Sequence, residues 1–166
     1  MSRVGFIGTG HIAAPMARFL AERGHAITVS ERNADVAQAL RASHGVAIAD
    51  NQTVLDTCDV VFLCLRPQIA AGILERLSFR AEHRIVSVMA AVSLAELRTL
   101  CAPATDLTRT IPFGFLEQGG CPLPACPGDA VLAPLFAPEN PVTPVTDEDA
   151  FNQHFSVCTV VPAVLD

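Results

Sequence analysis

The sequence predicts an α/β fold built on a doubly wound, mostly parallel sheet. Short apolar runs alternate with amphipathic segments, and Gly or Asn stands at several of the junctions between them. The most apolar run, residues 59–65, is typical of a central strand that is covered on both faces. Strands that alternate with helices pair in parallel through right-handed crossovers. The 166 residues suffice for one domain with a substantial core.

The first half of the chain carries four predicted strand–helix pairs. Asn33 suits the N-cap of the second helix, because its side chain can accept a hydrogen bond from a first-turn amide. Gly45 suits the left-handed end of that helix. We expect Asn51 to cap the third helix and Pro67 to open the fourth. The predicted strands are 3–7, 26–30, 46–49 and 59–65, and the predicted helices are 11–23, 33–43, 51–57 and 67–77.

The second half continues the alternation and then changes in composition. Ser93 and Glu96 have the spacing of a capping box, which predicts a helix ending near Cys101. Ten of the 12 prolines lie at or beyond residue 103. A further helix is expected to start at residues 147–150. The remaining elements are predicted as strands at 84–88, 105–110, 120–125 and 142–145, and a helix at 129–136.

Composition excludes several classes of function. The net charge of -6 argues against a general nucleic-acid binder. All 11 basic residues are Arg, and the sequence contains no Lys and no Tyr. Schiff-base chemistry, a P-loop lysine and a Tyr-Lys proton relay are therefore excluded for this chain.

The chain is predicted to be cytoplasmic and to have no membrane or metal partner. No secretory signal follows Met1, and residues 85–95, the longest strongly apolar run, are too few for a membrane span of ~20 residues. The six cysteines form no CxxC pair and no ligand spacing with His, so we expect reduced thiols.

The loop after the first strand has the spacing of a dinucleotide-binding turn. Gly8 would allow the tight turn, and Gly10 would let a pyrophosphate approach the helix N-terminus, where free amides favour anions. Ala13 replaces the last glycine of that pattern, where the helix packs on the sheet. The predicted cofactor loop comprises Gly8, Thr9, Gly10, His11, Ile12 and Ala13. This loop predicts a Rossmann domain that binds NAD or NADP.

Two residues after the second strand bear on the choice of cofactor. Glu31 lies 18 residues beyond Ala13, where a carboxylate would bind the adenine ribose hydroxyls and repel a 2′-phosphate. Arg32 could instead pair with that phosphate or stack on adenine. Of the two cofactors we expect NAD rather than NADP.

The remaining candidate site residues follow later strands, because ligands of open α/β sheets lie outside the carboxyl ends of the strands. We expect cofactor contacts from Leu65, Arg66, Pro67 and Met89, and substrate-side contacts from Arg66, Pro67, Ala90 and Pro112. No Ser-His-Asp arrangement stands out, and no catalytic residue is assigned.

With these residues placed, the chain resembles the pyrroline-5-carboxylate reductase family and its relatives, the deazaflavin-dependent NADP oxidoreductases. The segments 6–12, 59–68 and 87–92 are similar to that family's opening, its Lys-Pro-Gln-like segment and its next strand end. The chain departs from the family at Ile111-Pro112-Phe113, where Met-Pro-Asn is usual. The resemblance implies hydride transfer from nicotinamide to the carbon of a cyclic imine, as in proline biosynthesis.

The resemblance also implies a second domain. We expect a Rossmann domain at 1–148 and, at 149–166, the start of a helical dimerisation domain that is missing from this chain. The full-length parent would then be a homodimer acting on a small molecule, and this chain alone would bind cofactor but catalyse poorly.

Two alternatives remain open. A β-hydroxyacid dehydrogenase-like enzyme is suggested by Pro15-Met16-Ala17 with Gly24-His25, and a deazaflavin-linked reductase would use the same scaffold. In the other alternative the chain is a non-catalytic module that binds nucleotide or senses redox state.

Overall fold

The computed structural model describes residues 1–154, which form one eight-stranded sheet of order β3-β2-β1-β4-β5-β6-β7-β8. The first six strands are parallel, β7 is antiparallel to β6, and β8 is parallel to β7. The strands are β1 Arg3–Ile7, β2 Ala26–Ser30, β3 Ala47–Ala49, β4 Val60–Leu63, β5 Arg84–Ser87, β6 Asp106–Thr110, β7 Leu123–Cys126 and β8 Val142–Pro144. The predicted mostly parallel sheet is confirmed.

Helices cover both faces of this sheet. They are α1 Ala13–Glu22, α2 Ala34–His44, α3 Asn51–Thr57, α4 Pro67–Leu74, α5 Leu94–Leu100 and α6 Ala133–Phe136, with a 3-10 turn at Leu116–Gln118. Residues 148–154 are also helical. One core contains side chains from α1, α2 and α6, and the opposite core contains side chains from α3, α4 and α5 together with Phe151. The sheet is therefore doubly wound, as predicted.

The strand order reverses between β1 and β4, and this reversal positions the candidate site. From β1 the chain winds outward through β2 to β3, crosses back to β4, and then winds outward in the other direction to β6. At such a point the loops that follow neighbouring strands diverge to opposite faces, which opens a crevice at the carboxyl edge.

Most of the local capping predictions are confirmed. The Asn33 side chain accepts from the Val36 amide, and Gly45 is left-handed with φ 65°. Ser93 and Glu96 form the predicted capping box, with the Ser93 amide donating to Glu96 Oε2 at 2.8 Å.

The prediction that Asn51 caps the third helix is wrong. Asp50 is the cap: its Oδ1 accepts from the Thr53 amide at 3.0 Å and its Oδ2 from Thr53 Oγ1 at 2.7 Å. Asp50 has extended backbone geometry, whereas Asn51 is already the first helical residue. Both residue types cap well, so sequence alone left their positions ambiguous by one residue.

Some element boundaries also differ. The helix that Pro67 opens ends at Leu74 rather than near residue 77, and the helix expected at 129–136 begins only at Ala133. The chain around both boundaries continues as turns.

The division of the chain into two domains stays a prediction. Of the expected second domain, only residues 149–154 are described, as part of a helix, and residues 155–166 lie outside the described part. No two of the five cysteines within that part form a disulfide with each other. Its helices are all too short or too polar to cross a membrane.

Candidate functional site

The turn after β1 requires glycine at residue 8. Gly8 has φ +94°, and a Cβ there would collide with the Cys64 carbonyl oxygen and lie 3.1 Å from the Leu65 side chain. β1 and β4 are in register at this point, and the Cys64 amide donates to the Ile7 carbonyl at 2.8 Å. The close approach of the two chains at the strand reversal therefore leaves no room for a side chain.

The same turn is tied to the end of β2. The Gly8 amide donates to Ser30 Oγ at 2.9 Å, and Thr9 Oγ1 donates to the Ser30 carbonyl at 2.7 Å. Thr9 and Ser30 are buried. The Thr9 side chain thus holds the loop in shape, which leaves its backbone as the part available to a ligand.

The next turn is open to a ligand. Among the described atoms, none lies within 4 Å of a Cβ built on Gly10. α1 follows with Ile12 at its N-cap, and no side chain of residues 1–154 caps it. The dipole of a helix favours negative charge at its N-terminus. In α1 the Ala14 amide donates to the Gly10 carbonyl at 2.9 Å and Pro15 has no amide hydrogen, so the amides up to Ala13 are the ones that a ligand could meet. This geometry fits a diphosphate.

The predicted loop residues divide by exposure. His11 is exposed and borders the open space above α1, whereas the half-buried Ile12 packs against the core. Ala13 is buried in the core against the sheet, which is the packing role expected of the last small residue in the pattern.

A cleft of about 680 Å³ lies past the ends of β2 and β3, at the carboxyl edge of the sheet that also carries this loop. It contains Glu31 and Arg32, the two residues predicted to select the cofactor. Its other described lining residues are Asp50, Asn51, Gln68, Ile69, Gly72, Ile73 and Arg76. The cleft thus combines two guanidinium groups with two carboxyl groups.

One of these carboxyl groups, that of Asp50, is engaged in capping α3. The Thr53 amide and hydroxyl both donate to Asp50, and these bonds lower the pKa of Asp50 below its ordinary value. Glu31 is exposed and has no such role in the described contacts. Glu31 is therefore the carboxylate that would face an adenosine ribose.

The contribution of α4 to this cleft was not predicted from the sequence. Ile69, Gly72, Ile73 and Arg76 recur at helical spacing, which places them on one side of α4 and its following turn. That periodicity was a usable signal for a shared face. Only the tertiary structure shows that this face of α4 lines the same cleft as Arg32.

The other predicted contacts lie at the carboxyl ends of β4, β5 and β6. Arg66 and Pro67 are exposed and Ala90 is half-buried, whereas Leu65, Met89 and Pro112 are buried. The Met89 amide donates to Ser87 Oγ at 3.2 Å and shapes the turn after β5. Arg66 and Ala90 are therefore better placed to meet a substrate than the buried Pro112.

Two further features of this edge were not predicted. Arg109 on β6 is buried and donates to the Ala90 carbonyl at 2.8 Å. Phe113 and Phe115 stack with ring centroids 5.5 Å apart, and Phe115 is 45% exposed. The available signal for Arg109 was a charged residue near the end of a predicted strand. Among the described residues, no group of three or more potential ligands could hold a metal ion.

Comparison with known proteins gives a family match at the cofactor loop and its surroundings. Residues 3–91 match the family described as NADP oxidoreductase, coenzyme F420-dependent. This match extends from β1 to the turn after β5 and covers more than half of the chain.

A curated relative covers a similar stretch. The chain is 35% identical over 121 residues to pyrroline-5-carboxylate reductase 3 of Macaca fascicularis, which spans 66% of this chain and 42% of that protein. The chain thus spans less than half the length of this relative.

Solved structures share the fold over nearly the whole chain. Pyrroline carboxylate reductase of Plasmodium falciparum with NADP bound gives a TM-score of 0.81 at 13% identity, over 99% of this chain and 64% of that one. Reductive aminase of Aspergillus terreus, in complex with NADPH and ethyl-5-oxohexanoate, gives 0.79 at 13% identity, over 99% and 62% respectively.

Proposed function

The chain belongs to the NADP oxidoreductase, coenzyme F420-dependent, family, and we propose that it is the cofactor-binding part of a reductase of the pyrroline-5-carboxylate reductase type. The observation that carries this proposal is the alignment of three features along one edge of the sheet. These are the Gly8–Gly10 turn, the open N-terminus of α1 and the charged cleft beyond β2.

The proposed orientation of the cofactor follows from these features. The diphosphate lies over Gly10 and the amides that lead up to Ala13, at the N-terminus of α1. The adenosine lies in the cleft between Glu31 and α4. The nicotinamide then extends past β4 toward the turn at Ala90, because the cofactor must cross the strand reversal at the carboxyl edge.

We infer that the cleft favours the 2′-phosphate of NADP. The expectation of NAD rests on repulsion by Glu31. Arg76 adds a second guanidinium to Arg32 in the cleft lining, and Asp50 is engaged in capping α3. Guanidinium groups bind phosphate through paired, charge-assisted hydrogen bonds, so Arg32 and Arg76 together can hold a 2′-phosphate despite the two carboxylates of the cleft.

The proposed substrate is a small molecule with a carbon–nitrogen double bond. Bound nicotinamide would supply hydride, and the protein would hold the imine carbon near it. Arg66 is exposed beside the expected nicotinamide position and could attract a substrate carboxylate. The curated relative is named for a reductase of such an imine, which supports this choice over a hydroxyacid or a deazaflavin.

We propose that the 148–154 helix leads into a second, helical domain and that the full-length parent is a homodimer. Supporting this, the chain spans 42% of the curated relative's length. Residues of that domain would complete the substrate pocket above Ala90. A small-molecule pocket needs walls on several sides, and one sheet edge offers a single wall.

A single-turnover reaction tests the proposed activity. The chain is saturated with NADPH and mixed with 1-pyrroline-5-carboxylate, and the absorbance of reduced nicotinamide is followed. We expect slow oxidation of NADPH, faster with this imine than with a 3-oxo acid, the keto form of a β-hydroxyacid. Oxidation by the keto acid alone would favour the hydroxyacid alternative. Tight NADPH binding with no oxidation by either compound would favour the non-catalytic alternative.

A further inference from the structure

The guanidinium group of Arg109 connects β6, on which Arg109 lies, to two other segments of the chain. Its Nη2 donates to the Ala90 carbonyl at 2.8 Å, in the turn after β5. Its Nη1 donates to Glu148 Oε1 at 2.6 Å and to Asn152 Oδ1 at 3.1 Å, both on the 148–154 helix. Its Cζ lies 4.8 Å from the centroid of the Phe151 ring.

This arrangement is unusual for a strand core. The Arg109 side chain is only 3% exposed, and burying a charge is unfavourable unless it is paired and hydrogen-bonded. Among residues 1–154, its Nε has no hydrogen-bond partner. An apolar side chain would satisfy packing at this position, so packing alone does not account for an arginine.

Glu148 is itself held in place. Its Oε1 also accepts from the Leu94 amide at 2.7 Å, at the first residue of α5. The carboxylate therefore binds the start of α5 and the Arg109 guanidinium together. Through it, the 148–154 helix is fixed to the segment that follows the Ala90 turn.

The position of Ala90 gives this network its significance. Ser87 pairs in register with Arg109, and Ser87 Oγ accepts from the Met89 amide. The turn after β5 is thus held by Ser87 at the Met89 amide and by Arg109 at the Ala90 carbonyl. This is the turn at which the proposed nicotinamide position lies.

We propose that Arg109 is a positioning residue, which orients the Ala90 turn against the nicotinamide and couples that orientation to the docking of the 148–154 helix. The inference rests on the proposed function for the presence of the nicotinamide. Arg109 acts through Ala90 and does not itself touch the cofactor.

The conservative variant Arg109→Lys separates this role from charge alone. An ammonium keeps the charge near Glu148, but it lacks the planar fork that bonds Glu148 and the Ala90 carbonyl together. Arg84→Lys is the matched control. Arg84 lies at the start of β5, is 58% exposed, and forms its ion pair with Asp106 away from the carboxyl edge.

The test compares NADPH with 2′,5′-ADP, which carries the adenosine end of the cofactor without nicotinamide. Both affinities and the emission of bound reduced nicotinamide are measured for the wild-type chain and the variants. For Arg109→Lys we expect NADPH affinity to fall about tenfold, as for loss of one charge-assisted hydrogen bond. The affinity for 2′,5′-ADP should be unchanged, and Arg84→Lys should alter neither.

Other outcomes are also decisive. An equal loss of affinity for both ligands, or no change for either, would overturn the positioning role. If Arg109→Lys does not fold, Glu148→Gln is used, which keeps the acceptor but removes the charge, and the same selective loss is expected. If the wild-type chain binds neither ligand, the proposed function itself fails. If it binds both and only the variants depart from expectation, the positioning role alone fails.

Discussion

Gly8 and Cys64 approach so closely that a Cβ on Gly8 would collide with the carbonyl oxygen of Cys64. The contact joins the turn after β1 to the end of β4, across the reversal of strand order. Packing therefore requires glycine at residue 8, whereas the approach of a ligand would require it at residue 10. Substitutions at the two glycines should separate these requirements.

Gly8→Ala should destabilise the fold. The backbone at residue 8 is left-handed, and the new Cβ would meet main-chain atoms that cannot move aside without shifting β4. We expect a loss of about 2 kcal/mol or more in the free energy of unfolding, measured by urea titration. An unchanged midpoint would contradict the described approach of the two strands.

Gly10→Ala should spare the fold and impair cofactor binding. No described atom lies within 4 Å of the new Cβ, but that space is where we place the diphosphate. We expect the urea midpoint to stay near wild type and NADPH affinity to fall at least about tenfold, since a methyl group there prevents close backbone approach. Gly128→Ala, also in open space but away from the loop, is the control and should change neither quantity.

Arg76→Gln should weaken the binding of NADPH more than that of NADH. The guanidinium lines the cleft with Arg32, and its expected partner is the 2′-phosphate that NADH lacks. We expect a loss of about tenfold for NADPH and little change for NADH, read by calorimetry. Equal losses for the two cofactors would mean that Arg76 supports the cleft without reading the phosphate.

Ser93→Ala should remove the N-cap of α5 and one side of its capping box. The Ser93 hydroxyl accepts from the Glu96 amide at 3.2 Å. Loss of such a cap lowers the free energy of unfolding by about 1 kcal/mol. Ser93→Thr can still accept from that amide and donate to Glu96 Oε2, and it should retain most of the stability, which distinguishes a capping effect from a general effect of substitution at this turn.

Stability should fall as the pH decreases through the range in which His83 titrates. Burial lowers the pKa of His83 from its usual 6.5, as does the nearby Arg80, against opposing effects of Glu82 and Asp56. The unfolded chain then takes up the proton first. This contribution is complete above about pH 6.5 and is lost progressively below it.

The measurement is urea unfolding at about pH 7.5 and about pH 5.5, on either side of the usual histidine pKa. In the wild type, the Arg80 amide donates a hydrogen bond to His83 Nδ1 at 3.0 Å. The side chain in His83→Gln can still accept this hydrogen bond, but it does not titrate. We expect this variant to lose less stability than wild type between the two conditions. His25, whose pKa is also lowered by burial, should account for part of the remaining dependence. An identical slope for variant and wild type would contradict the role of His83.

The elements that sequence reasoning located well depend on neighbours along the chain. Asn33, Gly45 and Ser93 each act within one turn of helix, so their roles follow from residue type and spacing. Asp50 and Asn51 show the limit of that reasoning, because adjacent residues of similar capping strength are told apart only by backbone geometry.

The site residues that sequence reasoning missed depend on contacts between distant segments. Arg76 enters the cleft only because α4 packs beside the ends of β2 and β3. Arg109 reaches Glu148 across 39 residues of sequence. No local pattern encodes such a contact, and a lone arginine in a strand is equally compatible with a solvent-exposed edge.

Calorimetric titration of the purified chain with NADPH and with NADH decides whether this edge of the sheet binds a dinucleotide. We expect one site that binds both cofactors through the Gly10 turn and binds NADPH more tightly through Arg32 and Arg76. Tighter binding of NADH would mean that Glu31, by repelling the 2′-phosphate, decides which cofactor binds. Binding of neither cofactor by the folded chain would contradict the assignment of this edge of the sheet as a dinucleotide site.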